Sequence, residues 1–256
     1  MQQLYLCKTV ISDMFQRTRL CILLLFVLGF SACKKEDVVG NKDYKTLGTS
    51  ANDFLSSSNY SSLVLEIDYM PGYAPDATSV TNLVTFLNTF INKTGGISVS
   101  QKQIAASGKT SLTLDDIVKI ERTYRSAFTG GSVLAAHVLV ADASYSTADI
   151  LATSYWNTST CVFGKTMYNN SGGSGQVTRT QLLTTLLEHE FGHLLGLVDQ
   201  GTPMITGHKA VGNGAHCNNT HCLMYYAIET NAGAMNNTIP SFDDNCMADL
   251  KANGGK

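Results

Sequence analysis

Charge is scarce in this sequence and neither sign dominates: 18 Lys and Arg stand against 20 Asp and Glu, and the formal net charge is -2. That excludes the basic footprint by which a protein grips nucleic acid, so no nucleic-acid partner is expected. Prolines number four in 256 residues, and there is no internal repeat and no long run of one charge. Most of the chain is therefore neither a disordered linker nor a solenoid. With 44% hydrophobic residues it can bury the core of one domain.

What the sequence does have is concentrated in Glu188-His189-Glu190-Phe191-Gly192-His193-Leu194-Leu195-Gly196-Leu197-Val198-Asp199. Read as a helix, this stretch sets His189 and His193 one turn apart on one face, where both imidazoles reach a single metal ion. Glu190 falls beside that ion, placed to take a proton from water. Leu182, Leu183, Leu186, Leu187, Phe191 and Leu194 form an apolar stripe at helical spacing, and the three polar residues interrupt it. Buried carboxylates without partners are costly, so the interruption points to chemistry. Gly196 suits a helix-ending turn, which would bring Asp199 back as a third ligand.

His189-Glu190-x-x-His193-x-x-Gly196-x-x-Asp199 resembles the zinc-binding motif of metzincins, with aspartate in place of the usual third histidine, as in snapalysins. The resemblance implies a methionine turn beneath the metal, for which Met224 is the candidate. It also implies a metal-proximal tyrosine, and Tyr226 stands two residues on. His216-Cys217-x4-Cys222-x-Met224 resembles the archaemetzincin pattern, but the segment from Gln200 to Ala215 intervenes. The third ligand is thus Asp199 by distance from His193, with His216 as the alternative by its neighbours. His208 and His221 are read as loop histidines. The family implies a metzincin-like α/β (α+β) fold, a mixed twisted sheet with packed helices and a loop-rich C-terminal subdomain. It also implies one catalytic zinc and a protein or peptide substrate. Glu190 would then be the general base, and Tyr226 a donor to the oxyanion. The alternative is a surface lipoprotein that keeps the fold and binds peptides without cleaving them.

Ahead of this lies a leader. Arg17 and Arg19 precede an apolar run from Leu20 to Phe30, then Ser31-Ala32-Cys33, the layout of an export signal. Leu28 to Cys33 resembles a bacterial lipobox, which makes Cys33 the lipidation site. Lys34, Lys35, Glu36 and Asp37 resemble the signal that sends lipoproteins of Bacteroidetes to the cell surface. The expected division is a signal peptide over 1–32, a lipidated tether over 33–62 and a catalytic domain over 63–256. The product would be an outer-membrane lipoprotein, lipid-anchored in a bacterial membrane and facing the periplasm or the exterior.

Within the catalytic part, Leu63 to Tyr69 and Ile97 to Ile104 alternate as strands, and Val80 to Ile91 has helical spacing. A helix opens near Thr113 and runs to Phe128, and Ala135 to Ala141 reads as a central strand. Cys161 to Tyr168 is expected to be the edge strand that takes an extended peptide. Thr178 or Thr180 caps the motif helix, and a closing helix over Ser241 to Leu250 packs Met247 and Leu250 inward. With Cys7 and Cys21 in the leader and Cys33 as the lipid site, four cysteines remain for the fold: Cys161, Cys217, Cys222 and Cys246. An even number in an exported protein points to disulfides, with Cys217–Cys222 and Cys161–Cys246 favoured among three pairings. No further Cys-x-x-Cys completes a four-thiolate site, so a second, structural zinc is not expected.

Overall fold

The computed structural model describes residues 41–235 and 238–256, so the export signal, Cys33 and the charged patch after it lie outside the described residues. Seven strands and seven helices are formed among those described. In chain order they are α1 (Ala51–Leu55), β1 (Ser62–Tyr69), α2 (Ala77–Phe90), β2 (Ile97–Gln103), β3 (Ser111–Leu112), α3 (Leu114–Tyr124) and β4 (Val133–Ala141). There follow β5 (Ser144–Tyr145), β6 (Ala152–Trp156), β7 (Ser159–Phe163), α4 (Gly164–Asn169), α5 (Arg179–Leu194), α6 (Ala232–Met235) and α7 (Asp244–Ala252). The main sheet has the order β2-β1-β4-β7-β6. Its first four members are parallel, and β6 lies antiparallel to β7 at one edge. This is the mixed α/β architecture expected.

Local chemistry explains the elements. Eight of the nine residues of β4 are buried, as suits a strand covered on both faces. On β1, Leu63, Leu65 and Ile67 enter the main core, while Glu66 and Asp68 alternate with them. Asp76 caps α2 by accepting from the Ser79 N–H, and α2 lays Val80, Leu83 and Leu87 on the same core. A reciprocal Thr113–Asp116 capping box starts α3. Beyond the second face of the sheet the charges are buried but paired. Arg125 contacts Glu121 at 2.8 Å and Asp43 at 3.5 Å, and His137 lies 3.2 Å from Asp68.

Three expectations change. Cys161 to Tyr168 is not an edge strand: β7 is interior, buried at every position, and the chain then turns into α4. The antiparallel edge is β6, the segment before it. The stretch up to Ser62, read as a tether, is folded from residue 41 onward. Asp43 is fully buried and accepts from the Thr129 N–H at 2.8 Å, and Phe54 and Leu55 of α1 are core residues. Few of its own residues are apolar, but its partners are far along the chain, where composition does not show them. The closing helix is capped by Asp243 and buries Leu250, while Met247 faces outward at 39% exposure. No helix among the described residues is long and apolar enough to cross a membrane.

Candidate metal centre and cleft

The motif stretch folds as α5. Thr178 caps it by accepting from the Gln181 N–H, and the Gln181 side chain accepts from the Thr178 N–H in return. From Leu182 onward every residue of the helix is buried, including His189, Glu190 and His193. The helix stops at Leu195, and Gly196 takes φ +80, a value that favours glycine. A side chain at Gly196 would also strike Ala51 and the Thr202 N–H, each 2.6 Å from its Cβ.

The turn does not deliver Asp199 to the histidines. Asp199 itself takes φ +64, and its half-exposed carboxylate lies 3.7 Å from Lys209 Nζ. The chain runs instead through the 200–215 loop and returns with His216, which stands against α5. His189, His193 and His216 each present a ring nitrogen within 4.8 Å of the others. Their ring centroids are 4.9, 5.0 and 5.3 Å apart. The return is held by backbone bonds from Ala210 to the His216 carbonyl and from Cys217 to the Met224 carbonyl.

Hydrogen bonds assign the tautomers. His189 Nδ1 is 2.7 Å from the Leu223 carbonyl, and His216 Nδ1 is 2.6 Å from the Asn213 carbonyl. A carbonyl only accepts, so both Nδ1 atoms carry a proton, and Nε2 of each ring is the atom left to meet a metal. His193 Nδ1 is buried with no hydrogen-bond partner among the described residues. Burial pushes His189 down to about 4 and His193 well below the usual imidazole range, which keeps the rings neutral. Burial likewise pushes the Glu190 carboxyl up to about 7, against the pull of the Ser154 hydroxyl, which donates to Oε2 at 2.7 Å.

Met224 is fully buried beneath this group. Its sulfur comes so close to the backbone of Gly192 that a Cβ there would lie 2.2 Å from Sδ. Gly192 was not singled out from the sequence, although glycine inside a helix costs about 1 kcal/mol and so asks for a reason. Tyr226 stands at the rim, half exposed. The histidines and Glu190 open into a cleft of about 860 Å³, bordered by Leu151 to Ser154 of the edge strand and its approach, and by Leu47, Leu186, Tyr226 and Ile228. Ser154 carried no signal in the sequence.

Among the described residues the cysteines form no disulfide; Cys161, Cys217, Cys222 and Cys246 are all free and buried. Cys161 lies in the second core cluster beside Phe163, apart from Cys246. Cys222 and Cys246 bring their sulfurs to 3.6 Å, where a bond requires about 2.05 Å. Around them a second donor group assembles: His208, Cys217, Asp243 and Cys246 offer atoms within 4.8 Å of one another. His208 Nδ1 is 3.4 Å from Cys217 Sγ and 3.9 Å from Cys246 Sγ, and its Nε2 is 2.7 Å from Asp249 Oδ2. His208, read as a solvated loop residue, is therefore buried among thiols. His221 belongs to neither group.

No protein-family model matches the chain, and none of the curated proteins matches it in sequence. Among solved structures, the fold is similar to that of archaemetzincin from Methanopyrus kandleri, with a TM-score of 0.50 over 75% of this chain and 96% of that one at 13% identity. This is a metallopeptidase-like fold. The metalloproteinase-II of Bacteroides fragilis also aligns, at a TM-score of 0.43 and 14% identity, over 88% of this chain and 59% of that one. At these identities the likeness is one of fold.

Proposed function

We propose that the protein is a zinc-dependent endopeptidase, with His189, His193 and His216 holding the ion. The observation that carries this reading is the convergence of three imidazoles and Glu190 in a cleft beside an antiparallel edge strand. The donors fit zinc: two rings are turned by backbone carbonyls so that Nε2 is the atom left for the ion, and the cleft leaves room for water. Bound there, zinc supplies Lewis acidity. Glu190 accepts the proton of the attacking water and returns it to the departing amine. The Tyr226 hydroxyl donates to the oxyanion that develops on the scissile carbonyl, a contribution of about 2–4 kcal/mol for a donor of that kind. The free edge of β6 offers its backbone groups to an extended peptide.

The thiol group is proposed to hold a second, structural zinc through Cys217, Cys246, His208 and Cys222 or Asp243, in place of the disulfides expected. The lipid anchor at Cys33 remains a proposal from the sequence alone, tested by loss of fatty-acid labelling in Cys33→Ser. For the peptidase, chelator-sensitive cleavage of mixed peptides is expected. Glu190→Gln should keep its zinc and lose turnover by about a thousandfold or more. Retained turnover in Glu190→Gln removes this residue as base, and tight peptide retention without cleavage by the wild type favours a binding protein.

A further inference from the structure

Ser154 stands on the edge strand, just before a bulge. Its partner across the ladder is Thr160, yet Trp156 pairs with the next residue, Ser159, so Tyr155 is the extra residue on β6. Bulges of this kind re-aim side chains near functional sites. Here the Ser154 hydroxyl lies 2.7 Å from Glu190 Oε2 and 3.0 Å from the Glu190 carbonyl. A hydroxyl has one proton to give, and an ionised carboxylate is the stronger acceptor. Oε2 thereby carries the serine's hydrogen bond, and among the described residues none reaches Oε1.

The strand is also fastened from its other face. The Tyr155 hydroxyl donates to Glu121 Oε2 at 2.6 Å. Glu121 Oε1 in turn accepts from Arg125 Nη1 at 2.8 Å and Ser159 Oγ at 2.7 Å. Successive strand residues point to opposite faces, so the same short segment is tied above to the helix that carries the base and below to a buried ion pair.

We propose that Ser154 is a positioning residue for Glu190: it ties up one carboxylate oxygen so that the other is the one presented to water, and it fixes the base relative to the strand edge on which the peptide lies. The inference rests on the endopeptidase reading. An added peptide strand takes its register from the backbone of β6, and Ser154 carries that register across to α5. Base and scissile carbonyl are then aligned through a single strand.

The test compares Ser154→Ala and Ser154→Thr with the wild type in the zinc-loaded full chain, using kcat and KM for one peptide, metal content, thermal midpoint and the electronic spectrum after cobalt substitution. Ser154→Ala is expected to lower kcat by about 10- to 100-fold, the scale of a small misplacement of a reacting group, with KM within about twofold. Its metal content, midpoint and cobalt spectrum should match the wild type. Ser154→Thr, which restores the hydroxyl on a residue suited to strands, should return kcat to within about threefold. An alanine variant with near-normal kcat overturns the proposal. So does a loss that appears in KM and thermal midpoint together and is not restored by threonine, since that describes packing alone. Failure of the parent reading has another signature: a wild type with no chelator-sensitive cleavage, or a fully active Glu190→Gln, removes the base and Ser154's role with it.

Discussion

His216 and Cys217 are neighbours in the chain, and each belongs to a different donor group. The histidine group opens onto the cleft, with His216 partly exposed and three nitrogens facing one point. The sulfur group borders no such cleft: Cys217, Cys246 and His208 are buried, His208 is backed by Asp249, and a half-buried Asp243 fills the remaining side. Three donors beside a cleft suit a site where water must bind, whereas four donors suit one whose work is to hold loops together. In this way a segment with almost no regular structure places a ligand. The loops after Gly196 are gathered around the sulfurs, and His216 is presented as a by-product of that gathering.

The comparison is broken most sharply by His216→Ala. If the open group is the reactive one, this variant loses about a thousandfold or more in peptide hydrolysis while keeping the thiol-bound metal, measured by metal per chain and turnover. Next is Cys246→Ser, which should release the sulfur group's ion and lower the thermal midpoint, with turnover falling about tenfold as His216 loses its anchor. Equal loss of both ions in either variant would mean that the two groups are one unit. Gly192→Ala tests the floor under the open group. The added methyl meets the Met224 sulfur, so a destabilisation of about 1–3 kcal/mol is expected in denaturant unfolding. Last is Asp199→Ala, for which turnover should stay within about threefold, because this exposed carboxylate only faces Lys209 and exposed pairs contribute about 1 kcal/mol at most.

The contrast also marks what could be read from the chain without coordinates. His189, Glu190 and His193 were legible because an i, i+4 pair on a helix is a local fact, and the apolar stripe around them was unbroken elsewhere. Asp199 misled because its spacing assumed that the chain heads straight for the metal after Gly196. The positive φ at Asp199 turns it away, and the donor arrives only after a long loop. The interior place of β7 was not legible, since the run opens on the polar Ser159 and Thr160 and is covered on both faces only through the strand order of the sheet. The cysteines misled through parity: an even count in an exported chain suits bridges, but His208 among the thiols has no signal in spacing. The folding of residues 41–62 was invisible for a similar reason, as Asp43 finds Thr129 and Arg125 some eighty residues on.

That early segment has a practical side. Phe54 meets Phe191 edge to face, with ring centroids 6.3 Å apart, and Phe191 lies between the two motif histidines on α5. Gly48 and Gly201 press together so tightly that a side chain on either would run into the other's backbone or its neighbour's. A shortened recombinant form beginning at the first strand would therefore strip the wall from behind the helix that carries His189 and His193 and leave an aromatic ring bare to solvent. Trimming should stop ahead of Asp43, and a sample cut further in would be expected to misreport the behaviour of the intact fold.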